Sequence, residues 1–269
     1  PGTYANAPGP VAALFAIMTK IGAYAILRTT TLIFPASTPA TGSLILDLML
    51  PAALVTLALG AVGILGARTL PRLAAFAGIA SMGTLFTAMS AGTPQATSAA
   101  MYYMIHSTLA TAAVFLIVDL ITDRRHDGAL TAQPRIAQQG LIAALFFATA
   151  IALAGMPPLS GFIGKLLVMD ALRETAALIW TVILASSFLM VLGFARAGST
   201  LFWKSHATGE EPTPHEPEPL AFVAIGGLLA GLILLTIFAG PITTWLDATA
   251  AALHAPQAYI DANALPGGN

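Results

Sequence analysis

Two lysines stand alone in long apolar stretches, Lys20 within residues 11–27 and Lys165 within residues 156–169. A charge at membrane depth costs about 2.5 kcal/mol or more, so an ionisable side chain there points to an ion or proton path. Counted from Val11, Lys20 lies about 14 Å along a helix rising about 1.5 Å per residue, too deep to snorkel easily. Tyr24 and Arg28 follow at i+4 and i+8, on nearly the same face, as candidate supports. One reading makes Lys20 a proton-relay group; the other pairs it with a carboxylate of another subunit. Lys165 follows Pro158 by seven residues. It is either a second relay lysine beside a helix break or a lysine that snorkels toward Asp170, five residues on. His106 lies about 12 Å into its own apolar segment, and imidazole, with an unperturbed pKa near 6.5, suits proton shuttling. Ser107 and Thr108 beside it can support a water chain; the competing reading is a hydrogen-bonded core histidine.

Other chemistries find no footing. The chain has no cysteine, which removes disulfides, thiolate catalysis and iron–sulfur ligation. Gly164-Lys165 fails as a phosphate loop, because Leu159 stands where glycine is needed and Leu166 replaces Ser/Thr. There is no dinucleotide fingerprint, metalloprotease motif or nucleophile elbow, so no cofactor or metal is expected. His206 and His215 lie in the polar, acidic, proline-rich stretch 204–219, which reads as a solvated loop rather than a metal site. Asp47 and Asp119 fall near segment ends, as interfacial residues do. Tyr102 and Tyr103 read as packed rings whose hydroxyls reach polar neighbours.

The elements that must position these groups are helices. The chain is 57% hydrophobic and 9% charged, against about 25% charged in soluble domains, and its net charge of −1 offers no field for nucleic acid. Stretches of about 20 apolar residues cross a bilayer as helices. Seven occur, at 11–34, 44–67, 70–91, 95–122, 138–173, 176–203 and 220–246. The pattern gives an all-α, polytopic transmembrane bundle. The fifth stretch is too long for one span and carries Pro157 and Pro158, which remove backbone donors and clash with the preceding turn. It therefore predicts a discontinuous helix, 139–154 and then 159–172. Broken helices at membrane depth survive only where buried or lining a cavity, and their freed carbonyls can hold water. Arginine and lysine concentrate in the loops after the even spans (Arg68, Arg72; Arg124, Arg125, Arg135; Arg196, Lys204), which places those loops in the cytoplasm. Trp203 and Trp245 suit interface anchors. The turn-rich opening 1–10 starts with Pro and has no signal-peptide pattern, so the chain reads as the C-terminal piece of a longer protein.

Four blocks carry a family resemblance: residues 1–8 with 11–28, Leu70-Pro-Arg-Leu-Ala-Ala-Phe through Ser81-Met-Gly, Tyr103-Met-Ile-His-Ser-Thr-Leu, and Gly155-Met-Pro-Pro-Leu-Ser-Gly-Phe-Ile-Gly-Lys. Together they resemble the D subunits of Mrp-type multisubunit Na+/H+ antiporters, which are related to the proton-pumping membrane subunits of respiratory complex I. Three details favour the antiporter branch: Gly2-Thr-Tyr, Lys165 where one complex I subunit has glutamate, and the ending Ala258-Tyr-Ile-Asp-Ala. The resemblance implies a fold of two inverted repeats with extra helices, of which this chain holds the C-terminal half. Residues 44–203 would be the second repeat, 204–219 a cytoplasmic loop, 220–246 the last span and 247–269 an external tail. It implies secondary antiport of Na+ (or another monovalent cation) for H+ in a bacterial cell membrane, alongside other membrane subunits and lipid. The relay would run through waters from Lys20 to His106 to Lys165, supported by Tyr24, Arg28, Ser107, Pro157 and Pro158. Two departures from the family pattern fall around the third span: Pro71-Arg72 replaces a Lys-Arg pair, and Ser81 stands where some relatives carry histidine. One rival is a proton-pumping subunit of an NADH-quinone oxidoreductase or membrane-bound hydrogenase. Another is a membrane scaffold with no path of its own, in which both lysines would tolerate Met.

Overall fold

The computed structural model describes residues 2–35, 41–205 and 218–263. The order is a short α1 (Gly2–Ala5), then α2 (Gly9–Arg28) running on through a π turn (Thr29–Ile33), α3 (Gly42–Gly66), α4 (Leu70–Met89) and α5 (Pro94–Arg125). The paired helices α6 (Gln139–Ala154) and α7 (Ser160–Ala171) follow, then α8 (Ala176–Gly198) with a π turn (Ser199–Trp203), α9 (Pro219–Ile237), α10 (Ala239–His254) and α11 (Gln257–Asn263). Among the described residues the only β pairing is an isolated bridge, Thr69 with Ala129. Among the described residues six helices are long and apolar enough to span a bilayer, and α6–α7 supplies the discontinuous seventh, as the apolar stretches predict.

α5 is the central post. Thr93 caps its first turn, its side chain accepting from the Ala96 amide at 3.2 Å, with Pro94 leading the helix where no intrahelical N–H is needed. Around it pack α2, α4, α6, α7, α9 and α10. Most of its centre is buried, including Tyr102, Tyr103, His106 and Ser107, while Ile105 stays exposed. The outer faces of α2, α3, α8 and α9 expose Leu14, Leu59, Leu184 and Val223, the surface a hydrocarbon solvent accepts. The two tyrosines behave as read: Tyr102 Oη donates to the Leu235 carbonyl at 3.0 Å, and Tyr103 hydrogen-bonds Thr84.

The loops after the even spans meet at one end of the bundle. Arg196 donates to the Ala67 carbonyl at 2.6 Å, Leu70 N to Gly128 O at 2.7 Å, and Gln139 to Phe202 O at 3.0 Å. Arg124, buried, pairs with Glu218 at 3.0 Å. Asp119, near the same end, accepts from the Gly9 amide at 3.0 Å and so holds the start of α2.

Some boundaries differ from expectation. The last span is not 220–246: α9 stops at Ile237 and α10 begins at Ala239. Pro241 explains this, since its ring clashes with the carbonyl four residues earlier, at 237, and it has no N–H to offer. The contacts fix the turn. Tyr102 meets Leu235 and Thr97 meets His254 (2.8 Å), so five residues of α5, about 7.5 Å, match nineteen of the α9–α10 segment, about 28 Å. α10 therefore turns across α5 instead of continuing along it. The stretch 247–269 is not a plain tail, because 247–254 completes α10 and α11 follows. α7 starts at Ser160, with Leu159 in the linker. His206 and His215 lie outside the described residues, as do most of 204–219 and the final six residues of the chain.

Candidate proton-relay site

The break in the fifth span builds the site. In an uninterrupted helix the carbonyls of Leu153 and Ala154 would accept from the amides at 157 and 158. Both positions are proline, so those carbonyls are left free inside the bundle. α6 closes with Gly155 at φ +77°, a left-handed conformation that suits glycine, and the Pro157–Pro158 peptide is cis. Lys165, on α7, turns back to the gap. Its Nζ donates to Ala154 O at 2.8 Å, to Leu153 O at 3.4 Å and to Ser187 Oγ of α8 at 2.7 Å. All three ammonium donors are engaged, and Lys165 is 5% exposed. The snorkelling alternative fails on this geometry, because Asp170 pairs with Arg173 and accepts from Gln95 at 3.1 Å.

His106 sits over the same break and holds its two halves together. Nδ1 lies 2.9 Å from Ser160 Oγ, at the start of α7, and the ring also donates to the Ala152 carbonyl, in the last turn of α6. With the ring neutral, one nitrogen is donor and the other acceptor, so Ser160 donates to Nδ1. The approach is close: a Cβ on Gly161 would meet the Ala152 oxygen and stand 2.9 Å from the ring, so only glycine lets α7 start here. Tyr103 packs against His106 with ring centroids 5.7 Å apart.

Lys20 is 4% exposed, and its Nζ donates to Ser81 Oγ at 3.0 Å and Met82 Sδ at 3.1 Å, both on α4. Among the described residues its partners are neutral. Ser81 is thus the direct partner of Lys20, and donates its own proton to Gly78 O at 2.9 Å. One turn further along α4, Thr84 holds Tyr103. The row from Lys20 to Lys165 is therefore carried on α4, α5 and the broken span.

Three candidate supports fall away. Tyr24 is exposed, and Arg28 lies with its guanidinium 5.2 Å over the Tyr259 ring, away from Lys20. The buried stripe of α2 runs through Ala16, Lys20, Ala23 and Leu27, and at 3.6 residues per turn positions i+4 and i+8 drift about 40° and 80° off it. Ser107 is buried beside His106 but donates to Met104 O at 3.2 Å, in its own helix. Pro157 and Pro158 free two carbonyls, and these receive the Lys165 ammonium where bound water was expected. Ser160 and Ser187 are partners that the residue pattern alone did not single out. Ser160 had a signal, as the second residue after a proline break and the neighbour of Gly161. The pair Ser186-Ser187 in an otherwise apolar span was a weaker one. Among the described residues no group of three or more His, Asp or Glu is placed to hold a metal.

Comparisons with known proteins bear on the family and the fold. Residues 1–193 match a family described as NADH:quinone oxidoreductase/Mrp antiporter, transmembrane. A protein of Bacillus subtilis, named as the D subunit of a Na(+)/H(+) antiporter, is 31% identical over 275 residues, covering 97% of this chain and 53% of that one. A Rhizobium meliloti protein, named as the probable D subunit of a K(+)/H(+) antiporter, is 29% identical over 293 residues, covering 97% and 54%. Among solved structures, a chain of the Mrp complex from Dietzia sp. superposes with a TM-score of 0.83 at 24% identity, covering 96% of this chain and 56% of that chain, a likeness of fold. The chain spans about half the length of the curated relatives it matches.

Proposed function

This chain belongs to the NADH:quinone oxidoreductase/Mrp antiporter membrane family, and on that premise we propose that it forms the proton-carrying C-terminal half of a monovalent cation/H+ antiporter subunit. It is a transporter component rather than an enzyme, assembled with other membrane subunits in a bacterial cell membrane, with 44–203 as its second repeat. Na+ and H+ are the proposed cargo, in keeping with the antiporter names of relatives that align along nearly the whole chain. The loops gathered at the Arg124 end are the cytoplasmic ones, by their arginine content.

The carrying observation is Lys165 seated on two proline-freed carbonyls, Leu153 O and Ala154 O, next in the chain to the Ala152 carbonyl that His106 binds. Those carbonyls and Ser187 solvate the ammonium, with no carboxylate paired to it among the described residues, so the charge is tolerated but not locked in an ion pair. When His106 takes a proton, its Nδ1 must become a donor, and Ser160 must turn to accept and offer its own proton onward toward neutral Lys165. Each hop moves one proton and leaves the donor one charge lower. Repulsion between neighbouring cations makes arrival at Lys20 favour departure at Lys165.

The test uses everted vesicles from an antiporter-deficient host expressing the full-length parent with its operon partners, an imposed pH gradient and a ΔpH dye. Na+ collapses the gradient in the wild type, whereas Lys165→Ala abolishes the collapse without loss of assembly. Lys165→Arg fails as well, because a guanidinium does not give up its proton. Retained transport in assembled Lys165→Ala would remove this lysine from the path and favour the scaffold reading. Pumping that appears only on oxidation of an electron donor would move the chain to the respiratory branch of its family.

A further inference from the structure

A cavity of about 180 Å3 opens beside Lys20, lined in part by Thr19, Thr56, Gly78, Thr111 and Phe115. It lies on the side of Lys20 that faces the arginine-rich loops. Ala16 and Thr19 precede Lys20 on a helix that starts at Asp119, and Thr111 and Phe115 follow His106 on the way to Arg125. Thr111 is 2% exposed, and its hydroxyl has no hydrogen-bond partner among the described residues. An unmade buried hydrogen bond costs about 1–3 kcal/mol, so a native structure keeps such a group where something satisfies it.

The other polar groups facing this space have a matching asymmetry. Thr19 and Thr56 donate their hydroxyl protons to Ala16 O (2.9 Å) and Ala52 O (2.7 Å), leaving only acceptor lone pairs for the cavity. Lys20 uses two ammonium protons on Ser81 and Met82 and has a third to offer. Purely apolar cavities stay dry, but one with two to four polar partners and about 30 Å3 per molecule takes water. This one has room for about half a dozen. No carboxylate lines it, so nothing there would balance a bare metal cation next to an ammonium.

We propose that this cavity is a water chamber through which protons reach Lys20 from the side of the arginine-rich loops, with Thr111 the residue that fixes its water file. This rests on the antiport reading for its direction of use, but not for its hydration. A chamber water donates to the free Nζ lone pair of neutral Lys20 and is reprotonated by the next water. The Thr111 hydroxyl accepts from one neighbour and donates to the other, so it ends each passage unchanged.

Two independent readouts test it in the full-length parent with its partners, in vesicles. The first exploits the lack of cysteine in this chain. Thr111→Cys is exposed to Ag+ and the blocked thiol counted by mass spectrometry of its peptide, with Leu85→Cys, in the apolar core, as control. The thiolate is the metal ligand and forms readily only in a hydrated site, so Thr111→Cys should react about tenfold faster or more. Equal, slow reaction of both would overturn the chamber, whatever the transport result. The second is Na+-driven ΔpH collapse. Thr111→Val should slow it by about fivefold or more, the loss expected of one hydrogen bond, and Thr111→Ser should stay within about twofold of wild type. A wild-type rate in Thr111→Val would overturn the delivery role. If Na+ drives no collapse even in the wild type, the antiport reading fails, and the thiol arm alone decides whether the chamber is wet.

Discussion

Replacing Gly155 by alanine tests whether the helix break positions the relay lysine or merely bends a span. Two effects are separable. The backbone at 155 has φ +77°, where an L side chain costs about 1–2 kcal/mol, a loss borne by stability. The second falls on Lys165. A Cβ at 155 would stand 2.6 Å from its Cδ, 3.0 Å from Cε and 3.1 Å from Nζ, against a carbon–carbon optimum of about 3.5–4.0 Å. The yielding partner is the flexible end of the lysine, which has to retreat by about 1 Å, on the order of the mismatch, and then no longer reaches Ala154 O from its present 2.8 Å. A hydrogen bond to a charged group is worth about 1.5–3 kcal/mol, so the productive placement of Nζ becomes about ten- to a hundredfold rarer. The assay pairs dye-reported Na+-driven ΔpH collapse, normalised to assembled complex, with thermal unfolding in detergent. Gly140→Ala, where a Cβ meets open space within a helix, is the control and should leave transport unchanged and not lower the unfolding temperature. An assembled Gly155→Ala complex that transports within about twofold of wild type would refute the argument, because the placement loss alone predicts at least about tenfold.

Two further outcomes follow from the same contacts. Ser160→Ala removes the Nδ1 partner of His106 (2.9 Å) and should slow transport by about fivefold while assembly is kept, with an unchanged rate showing that Ser160 is not on the path. Tyr102→Phe removes the bond to Leu235 O at 3.0 Å, beside the end of α9, and should lower stability by about 1–2 kcal/mol in chemical or thermal unfolding without changing turnover per assembled complex. Unaltered unfolding would show that the α9–α10 turn does not depend on that bond.

The helices, the break and the three titratable residues were legible in the chain itself because each rests on a local cause. Apolar runs of span length dictate helices in lipid. Pro157 and Pro158 name, by counting back four, the carbonyls of Leu153 and Ala154 that lose their donors. A lone lysine or histidine in such a run is conspicuous for its cost. The end of the last span was legible too, since Pro241 marks 237, but hydropathy alone runs past it. What fills the freed carbonyls was not legible. Lys165 reaches them from eleven and twelve residues further on, and Ser187 joins from another helix. Ser81, Ser107, Ser160 and Ser187 are alike as letters in apolar helices. A hydroxyl there can bond its own helix or a distant side chain, and only packing separates Ser107, turned to Met104, from Ser160, turned to His106. Tyr24 and Arg28 illustrate the same limit, because the lean of α2 against α4 and α5 chooses which side of the Lys20 stripe is buried. The order of residues dictates where backbone donors are missing and where charge is buried. Packing assigns which group answers which, because those pairings join helices far apart in the chain and no local spacing encodes them.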